Sequence, residues 1–327
     1  MEPASITVPT GKPDGIVRPT FAQRLKKGDE AAYLITLMAA STVLLITVFL
    51  IYELWINSRD ARHQFGFGFL WSKDWDPNLG HFGALPFIYG TLVTSFLALI
   101  LAVPLGVGAA IYLAEMAPPK WSSIFTFLVE LLAAVPSVIY GVLAMFTLVP
   151  LVRSVIGPAL ENTFGFLPFF KGPIYGVGVL TAGMILAIMT FPYIISISRE
   201  SLMSVPREQR EAALALGATK WESTWDAVVP FARLGILGSI FLSLARALGE
   251  TMAVTMVIGN DPKIKESLLA PGYTIAAVIA NEFSEATEDI HRSSLVLLGL
   301  VLFLITMIIN GAARLLILAT TRQGSAK

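Results

Sequence analysis

An arginine and a glutamate four residues apart, Arg246 and Glu250, lie in the stretch SLARALGETMAVTMV, and no other charge falls between Arg233 and Asp261. Residues i and i+4 are neighbours on one face of a helix, so the spacing predicts a cation and an anion side by side in an apolar segment. A charge at the centre of a membrane helix costs about 2.5 to 3.5 kcal/mol, and such residues face protein or a water-filled cavity. Two uses would repay that cost. The pair can neutralise itself and lock helix packing. Alternatively, the planar fork of the Arg246 guanidinium meets an anion with phosphate-like oxygens, while Glu250 accepts a proton from a protonated phosphate or holds Arg246 between substrates. Sulfate carries no proton at neutral pH, so a carboxylate beside the anion would disfavour it.

Other polar groups fall inside apolar stretches and extend the candidate path. Glu130 lies about two turns before Pro136 and reads either as a carboxyl hydrogen-bonded between helices or as a gate that meets Arg246 in one conformation. Ser137 and Thr251, with Thr94 and Ser95, are hydroxyl candidates for the same path, and each also suits a simple helix–helix hydrogen bond. Pro104, Pro136 and Pro192 each remove a backbone donor and free the carbonyl four residues earlier, at Ile100, Leu132 and Ile188. Breaks of this kind are tolerated where backbone is buried or lines a cavity, and broken helices surround many transporter sites.

Several chemistries are excluded. The chain has no cysteine, which removes disulfides, thiolate metal sites and cysteine nucleophiles together. Its three histidines, His63, His81 and His291, are far apart, so no metal site is expected. No G-x-x-x-x-G-K-[ST] phosphate loop occurs, so the chain is not expected to hold ATP in that way and is read as a non-enzymatic subunit.

The elements that must position these groups follow from composition. Of 327 residues 55% are hydrophobic and only 14% charged, against the roughly 25% charged of soluble domains. Lys+Arg and Asp+Glu balance at 23 each, which removes the broad positive field of a nucleic-acid binder. A membrane helix needs roughly 20 apolar residues, and six stretches qualify: Ala31 to Asn57, Ile88 to Ala114, Ser123 to Pro150, Ile174 to Ser198, Leu234 to Ile258 and Ser294 to Leu318. The expected fold is therefore all-α, a polytopic membrane protein of six transmembrane helices. Residues 1–30 read as a flexible tail and 31–57 as the first span. Residues 58–87 read as an external loop whose seven aromatics fold back on the interface or pack as a small cap. Residues 88–327 are the expected core. With the N-terminus inside, fourteen Lys and Arg fall on the cytoplasmic side and eight outside. The excess of basic residues predicts both termini in the cytoplasm.

Residues 199–233 form the longest expected cytoplasmic connection. Pro206 suits a first helical turn, residues 207–216 favour helix, Gly217 suits a helix stop, and a second short helix is expected from Lys220 to Ala227 before Pro230. Glu211 would cap or pair within this knob.

The run Glu211-Ala212-Ala213, then Gly217 after three intervening residues, then Val229-Pro230, resembles the EAA loop of ABC importer permeases, although Ala227 and Val229 stand where that family usually has larger aliphatics. RALGETMAV (246–254) is similar to the fifth-span signature of phosphate ABC permeases of the PstC and PstA type. VELLAAVPSVIYG (129–141) is similar to their third span, and FGALPFIYGTLVTS (82–95) to the second span of the PstC branch. The resemblance implies a type I importer permease in a bacterial plasma (inner) membrane that imports inorganic phosphate. Its substrate path would use Arg246 and Glu250. Its coupling surface would be Glu211, Ala212, Ala213 and Gly217, docking on a separate ATPase that holds ATP and Mg. The implied partners are a second related permease, two ATP-binding subunits and an external phosphate-binding protein. A permease for molybdate or sulfate, and an ion-gradient-driven secondary transporter, are the competing readings.

Overall fold

The structure, a computed structural model, describes residues 29–324. The expected tail thus lies almost wholly outside the described residues, and the first helix begins at Asp29. The chain divides into two compact units, Met1–Glu53 and Leu54–Lys327. Among the described residues six helices are long and apolar enough to cross a membrane, and no strand is formed.

The described part of the first unit is a single helix, the bulk of α1 (Asp29–Asn57). No residue in its most apolar stretch is buried. The hydroxyls of Thr36, Thr42 and Thr47 bond back to the carbonyls of Ala32, Met38 and Val43. In a medium without hydrogen-bond partners this hides each polar group within the helix that carries it.

The second unit holds residues 58–87 and five further apolar helices. Short helices α2 (Arg59–Phe65) and α3 (Gly68–Trp71) lead into α4 (Leu85–Met116), then α5 (Pro119–Ala134), α6 (Ser137–Phe164) and α7 (Val179–Met203). After α8 (Arg207–Ala215) come α9 (Lys220–Leu248), α10 (Met252–Ile258), α11 (Ile275–Glu282) and α12 (Asp289–Gly324).

Helices α4 and α7 make the most extensive contact in the chain. On the buried face of α4 every fourth residue is small, in the series Gly90, Thr94, Ala98, Ala102, Gly106 and Ala110. Such strips let backbones approach closely, which drives helix association in lipid. From the other side, Gly183 of α7 lies so close to Leu97 that a Cβ there would fall 2.5 Å from its side chain.

Residues 58–87 belong to the same compact unit as the core rather than standing apart from it. Phe69, Phe82 and Phe87 are buried, and Trp75 packs edge-on against Phe82 and Phe87. The Trp75 indole N–H donates to Glu282 at 3.0 Å, tying this aromatic cap to α11. Phe67 and Trp71 remain exposed.

Two expected spans and one expected loop helix are corrected. The third is not one helix from Ser123 to Pro150, because α5 ends at Ala134 and the long apolar helix is Ser137–Phe164. Val135 and Pro136 between them are extended, since proline disfavours helical conformation in the residue before it. The fifth, expected over Leu234 to Ile258, divides into α9 and α10 at Gly249. The short helix expected to stop before Pro230 instead runs straight on through α9.

Pro230 is accommodated by a wide π turn at Thr224–Val228, and Pro150 and Pro158 follow similar turns at Ala144–Leu148 and Val152–Ile156. A proline ring clashes with the carbonyl four residues back. In all three cases that residue, Asp226, Phe146 or Ser154, is the middle of the π turn, where the i→i+5 pairing re-aims the carbonyl.

Candidate functional site

Two helix breaks meet beside one arginine. Arg246 lies in the last turn of α9, and its guanidinium sits 4.2 Å above the ring of Tyr193 on α7. The Tyr193 hydroxyl donates to the carbonyl of Ala133 at 3.0 Å, and that of Tyr140 to the carbonyl of Leu132 at 2.7 Å. Both carbonyls belong to the final turn of α5, where Pro136 cannot donate to Leu132 and the amide of Val135 reaches it at 3.3 Å instead. The two tyrosines therefore add donors to the last carbonyls of α5 beside the proline break, and one of them also carries Arg246. The helix after the second break, α10, packs on α6 through Gly141, which touches Met256 and Ala253.

The expected side-by-side pairing of Arg246 and Glu250 is not formed. Gly249 ends α9, so the two residues do not share one helical face. Ion pairs seen among the described residues include Arg210–Glu115, Lys265–Asp261 and His291–Glu282, and Arg246 with Glu250 is not one of them. Glu250 instead turns to the start of α10, where its Oε1 accepts from the amide of Ala253 at 3.4 Å. Arg246 is left with its guanidinium on an aromatic face, exposed on the side of the unit. That arrangement suits an anion, because the donors in the guanidinium plane stay free while the ring stabilises the charge from above.

The remaining candidates separate. Ser137 is half-buried at the first position of α6. Thr251 donates to the carbonyl of Gly249 at 3.3 Å and so belongs to the α9–α10 break. Glu130 is exposed, not buried between helices, and with Arg199 lines a cavity that runs along α5 from its first turn up to Glu130. Thr94 bonds back to Gly90 and is buried within α4, away from any path. Tyr193 and Tyr140 were not among the sequence candidates. The signal that points to them is an aromatic hydroxyl within two turns of a mid-span proline.

The connecting loop forms two abutting helices. Gly217 has φ +89°, and its amide bonds to Leu214 while that of Ala218 bonds to Ala213. This is the Schellman closure, in which a left-handed residue ends the helix. Thr219 then caps α9 in a reciprocal box with Glu222. Glu211, Ala212 and Gly217 lie on the exposed surface and Ala213 is half-buried, with Leu216 beside them 90% exposed.

Glu211 forms neither the cap nor the pair expected of it. That role belongs to Arg210, whose Nη2 lies 2.7 Å from Glu115 at the end of α4. The same guanidinium donates to the carbonyls of Val205 at 2.6 Å and Leu202 at 2.8 Å.

Comparison with known proteins places these features. The family model described as binding-protein-dependent transport system inner membrane component matches residues 102–321. The phosphate transport system permease protein PstC of Mesorhizobium japonicum is 45% identical over 305 residues, covering 92% of this chain and 93% of the relative. Its namesake in Xylella fastidiosa is 44% identical over 301 residues, covering 90% and 92%. The probable PstC of Methanocaldococcus jannaschii is 35% identical over 292 residues, covering 88% and 92%. Among solved structures, a permease chain of a bacterial ABC transporter that imports alginate matches with TM-score 0.57 at 20% identity, over 89% of this chain and 98% of that one. That likeness concerns the fold.

Proposed function

The chain belongs to the family of binding-protein-dependent transport system inner membrane components, and on that footing we propose that it is the permease subunit of an ATP-driven importer of inorganic phosphate. The observation that carries the phosphate assignment is the position of Arg246 at the junction of two broken helices, stacked on Tyr193 with no carboxylate paired to it. It is supported by the permeases named for phosphate transport that match about nine-tenths of the chain.

Arg246 is exposed on a helix long and apolar enough to cross a membrane. Charges facing lipid are costly, so this face is covered by protein in the working assembly. A second, related permease is the occupant, and the anion passes between the two. Protonated phosphate reaching Arg246 finds Glu250 one helix break away as an acceptor for its proton. Ser137 and Thr251 flank that break as hydroxyl partners. An external binding protein delivers phosphate at the end bearing the aromatic cap, and the end bearing α8 faces the cytoplasm with both termini.

ATP and Mg reside on two separate ATP-binding subunits, one of which seats α8 through Glu211, Ala212, Ala213 and the Gly217 bend. The forked bond from Arg210 makes α8 one body with the ends of α4 and α7. Leu202 is nine residues from Tyr193 along α7, a distance of about 14 Å. A push on α8 therefore displaces the aromatic support of Arg246. Pro192, next to Tyr193, leaves α7 one hydrogen bond short at the point where it must flex.

Uptake of labelled phosphate by the assembled transporter in proteoliposomes tests this function. Arg246→Ala should lower uptake at least tenfold while binding-protein docking is retained, and excess phosphate should compete where molybdate and sulfate do not. Normal phosphate uptake by Arg246→Ala would remove the anion-contact role, and equal competition by the other oxyanions would remove the phosphate assignment.

A further inference from the structure

Polar side chains that the Arg246 junction does not use gather at the other end of α5. A cavity of about 560 Å³ opens there between the end of α4, the first turns of α5 and the last turn of α7. Its polar lining is Ser122, Ser123, Thr126, Glu130 and Arg199. Arg199 takes part in none of the described ion pairs. Its Nη2 makes a long bond of 3.4 Å to Ser122 Oγ, and its Nε is buried with no partner. The Ser122 hydroxyl is itself committed, donating to the carbonyl of Leu113 at 2.7 Å.

Arg199 as a whole is half-buried, and its Nε is a buried donor left without an acceptor, which is costly. Glu130 lines the same cavity but leaves the donor unanswered. The partner that fits is rich in acceptors and small enough for the cavity, which describes a tetrahedral oxyanion received by a guanidinium fork. The cavity also lies at the N-terminal end of the 16-residue helix α5, where the helix dipole favours negative charge. Ser123 is exposed beside it. Arg199 follows Tyr193 by six residues on α7, about 9 Å towards the α8 end. Both residues reach across to α5, Tyr193 at Ala133 and Arg199 at Ser122.

We infer that Arg199, with Ser122 and Ser123, forms a second oxyanion site on the α5–α7 seam, an exit station that receives phosphate after it leaves Arg246. The inference rests on the phosphate function proposed above. A phosphate group is the recognised chemistry, and it has two sources, the transported anion and the headgroup of a phospholipid.

The assembled transporter in proteoliposomes, with inorganic phosphate added on the ATP-containing side, separates them. Phosphate on that side should slow uptake in the wild type, and Arg199→Gln should raise the half-inhibiting concentration about tenfold, the worth of one charge-assisted contact. Arg199→Lys should fall between. A purely structural role for Arg199 would lower uptake without moving that concentration. Ser123→Ala is a second probe for which the described residues offer no structural cost, and a rise of about threefold is expected from it.

The same shift in phosphatidylcholine and in phosphatidylglycerol vesicles assigns the site to the transported anion. Loss of one co-purifying phospholipid per chain in Arg199→Gln, with no shift in inhibition, keeps the oxyanion site but overturns the exit station. Absence of both effects overturns the site altogether. Failure of the wild type to take up phosphate would instead strike the proposed function, and the phospholipid count would then decide Arg199 alone.

Discussion

Arg210 and Glu115, 95 residues apart in sequence, form a forked ion pair in which Nη2 lies 2.7 Å from one carboxylate oxygen and Nε 3.2 Å from both. Glu115 is nearly buried and Arg210 is about three-quarters buried, so the pair is not a screened surface bridge. It joins the loop helix α8 to the end of α4, and through the Leu202 and Val205 carbonyls to the end of α7.

Breaking that pair should uncouple the loop. Arg210→Ala leaves a mostly buried carboxylate unpaired, a change worth about 3 kcal/mol or more. Amide exchange over residues 207–215 should accelerate by about two orders of magnitude, and ATP-driven uptake should fall further than ATP hydrolysis. Glu115→Gln keeps the shape and should lose less. Equal exchange in wild type and Arg210→Ala would rule out the clamp.

The ring and the hydroxyl of Tyr193 have separable effects. Tyr193→Phe keeps the cation–π contact and loses only the bond to Ala133, so a fall in uptake of about three- to tenfold is expected. Tyr193→Ala also removes the face under Arg246 and should cost a further about 0.5 to 2 kcal/mol, up to thirtyfold. If the two variants transport equally, the aromatic face is irrelevant to Arg246.

At Gly217 the backbone and not the space is limiting, since φ is +89° and a Cβ there would meet nothing within 4 Å. Gly217→Asn, which tolerates left-handed backbone, should retain most coupling. Gly217→Val should destabilise the bend by about 1 to 3 kcal/mol and reduce ATP-coupled uptake. Comparable coupling in both variants, read from the ratio of phosphate taken up to ATP hydrolysed, would contradict this ranking.

At the capped end, burial pushes the Tyr273 phenol up to about 12 from 10.0, with nearby Glu282 and Glu285 raising it further and the bond from Asn281 opposing. A raised folded-state value means that the unfolded chain loses its proton first. The contribution of Tyr273 is therefore full below about pH 10 and lost as pH rises towards 12. Thermal unfolding of the wild type should steepen across that window, and Tyr273→Phe should flatten it. An unchanged slope would place Tyr273 in contact with water.

The helical, six-span architecture was legible in the sequence because lipid leaves a backbone few options, and length and apolarity suffice to mark a crossing. The bend at Gly217 was legible for a similar local reason. What a continuous apolar run could not reveal was where α5 stops and α6 begins, or that π turns would carry α6 and α9 past Pro150, Pro158 and Pro230. Those outcomes depend on which neighbour satisfies a freed carbonyl. At Leu132 and Ala133 the neighbours are Tyr140, eight residues on, and Tyr193, sixty residues away.

By itself the sequence determined the class of protein, an arginine within an apolar helix and the bend of the connecting loop, since each follows from composition or from residues close together in the chain. The tertiary structure decided the pairings. It parted Glu250 from Arg246 by ending a helix at Gly249, laid Arg246 on Tyr193, gave Arg210 to Glu115, and left the Arg199 Nε without a partner. Contacts of this kind join helices far apart in sequence, and in an apolar medium the unmet hydrogen bonds and charges of those helices determine which side chains meet.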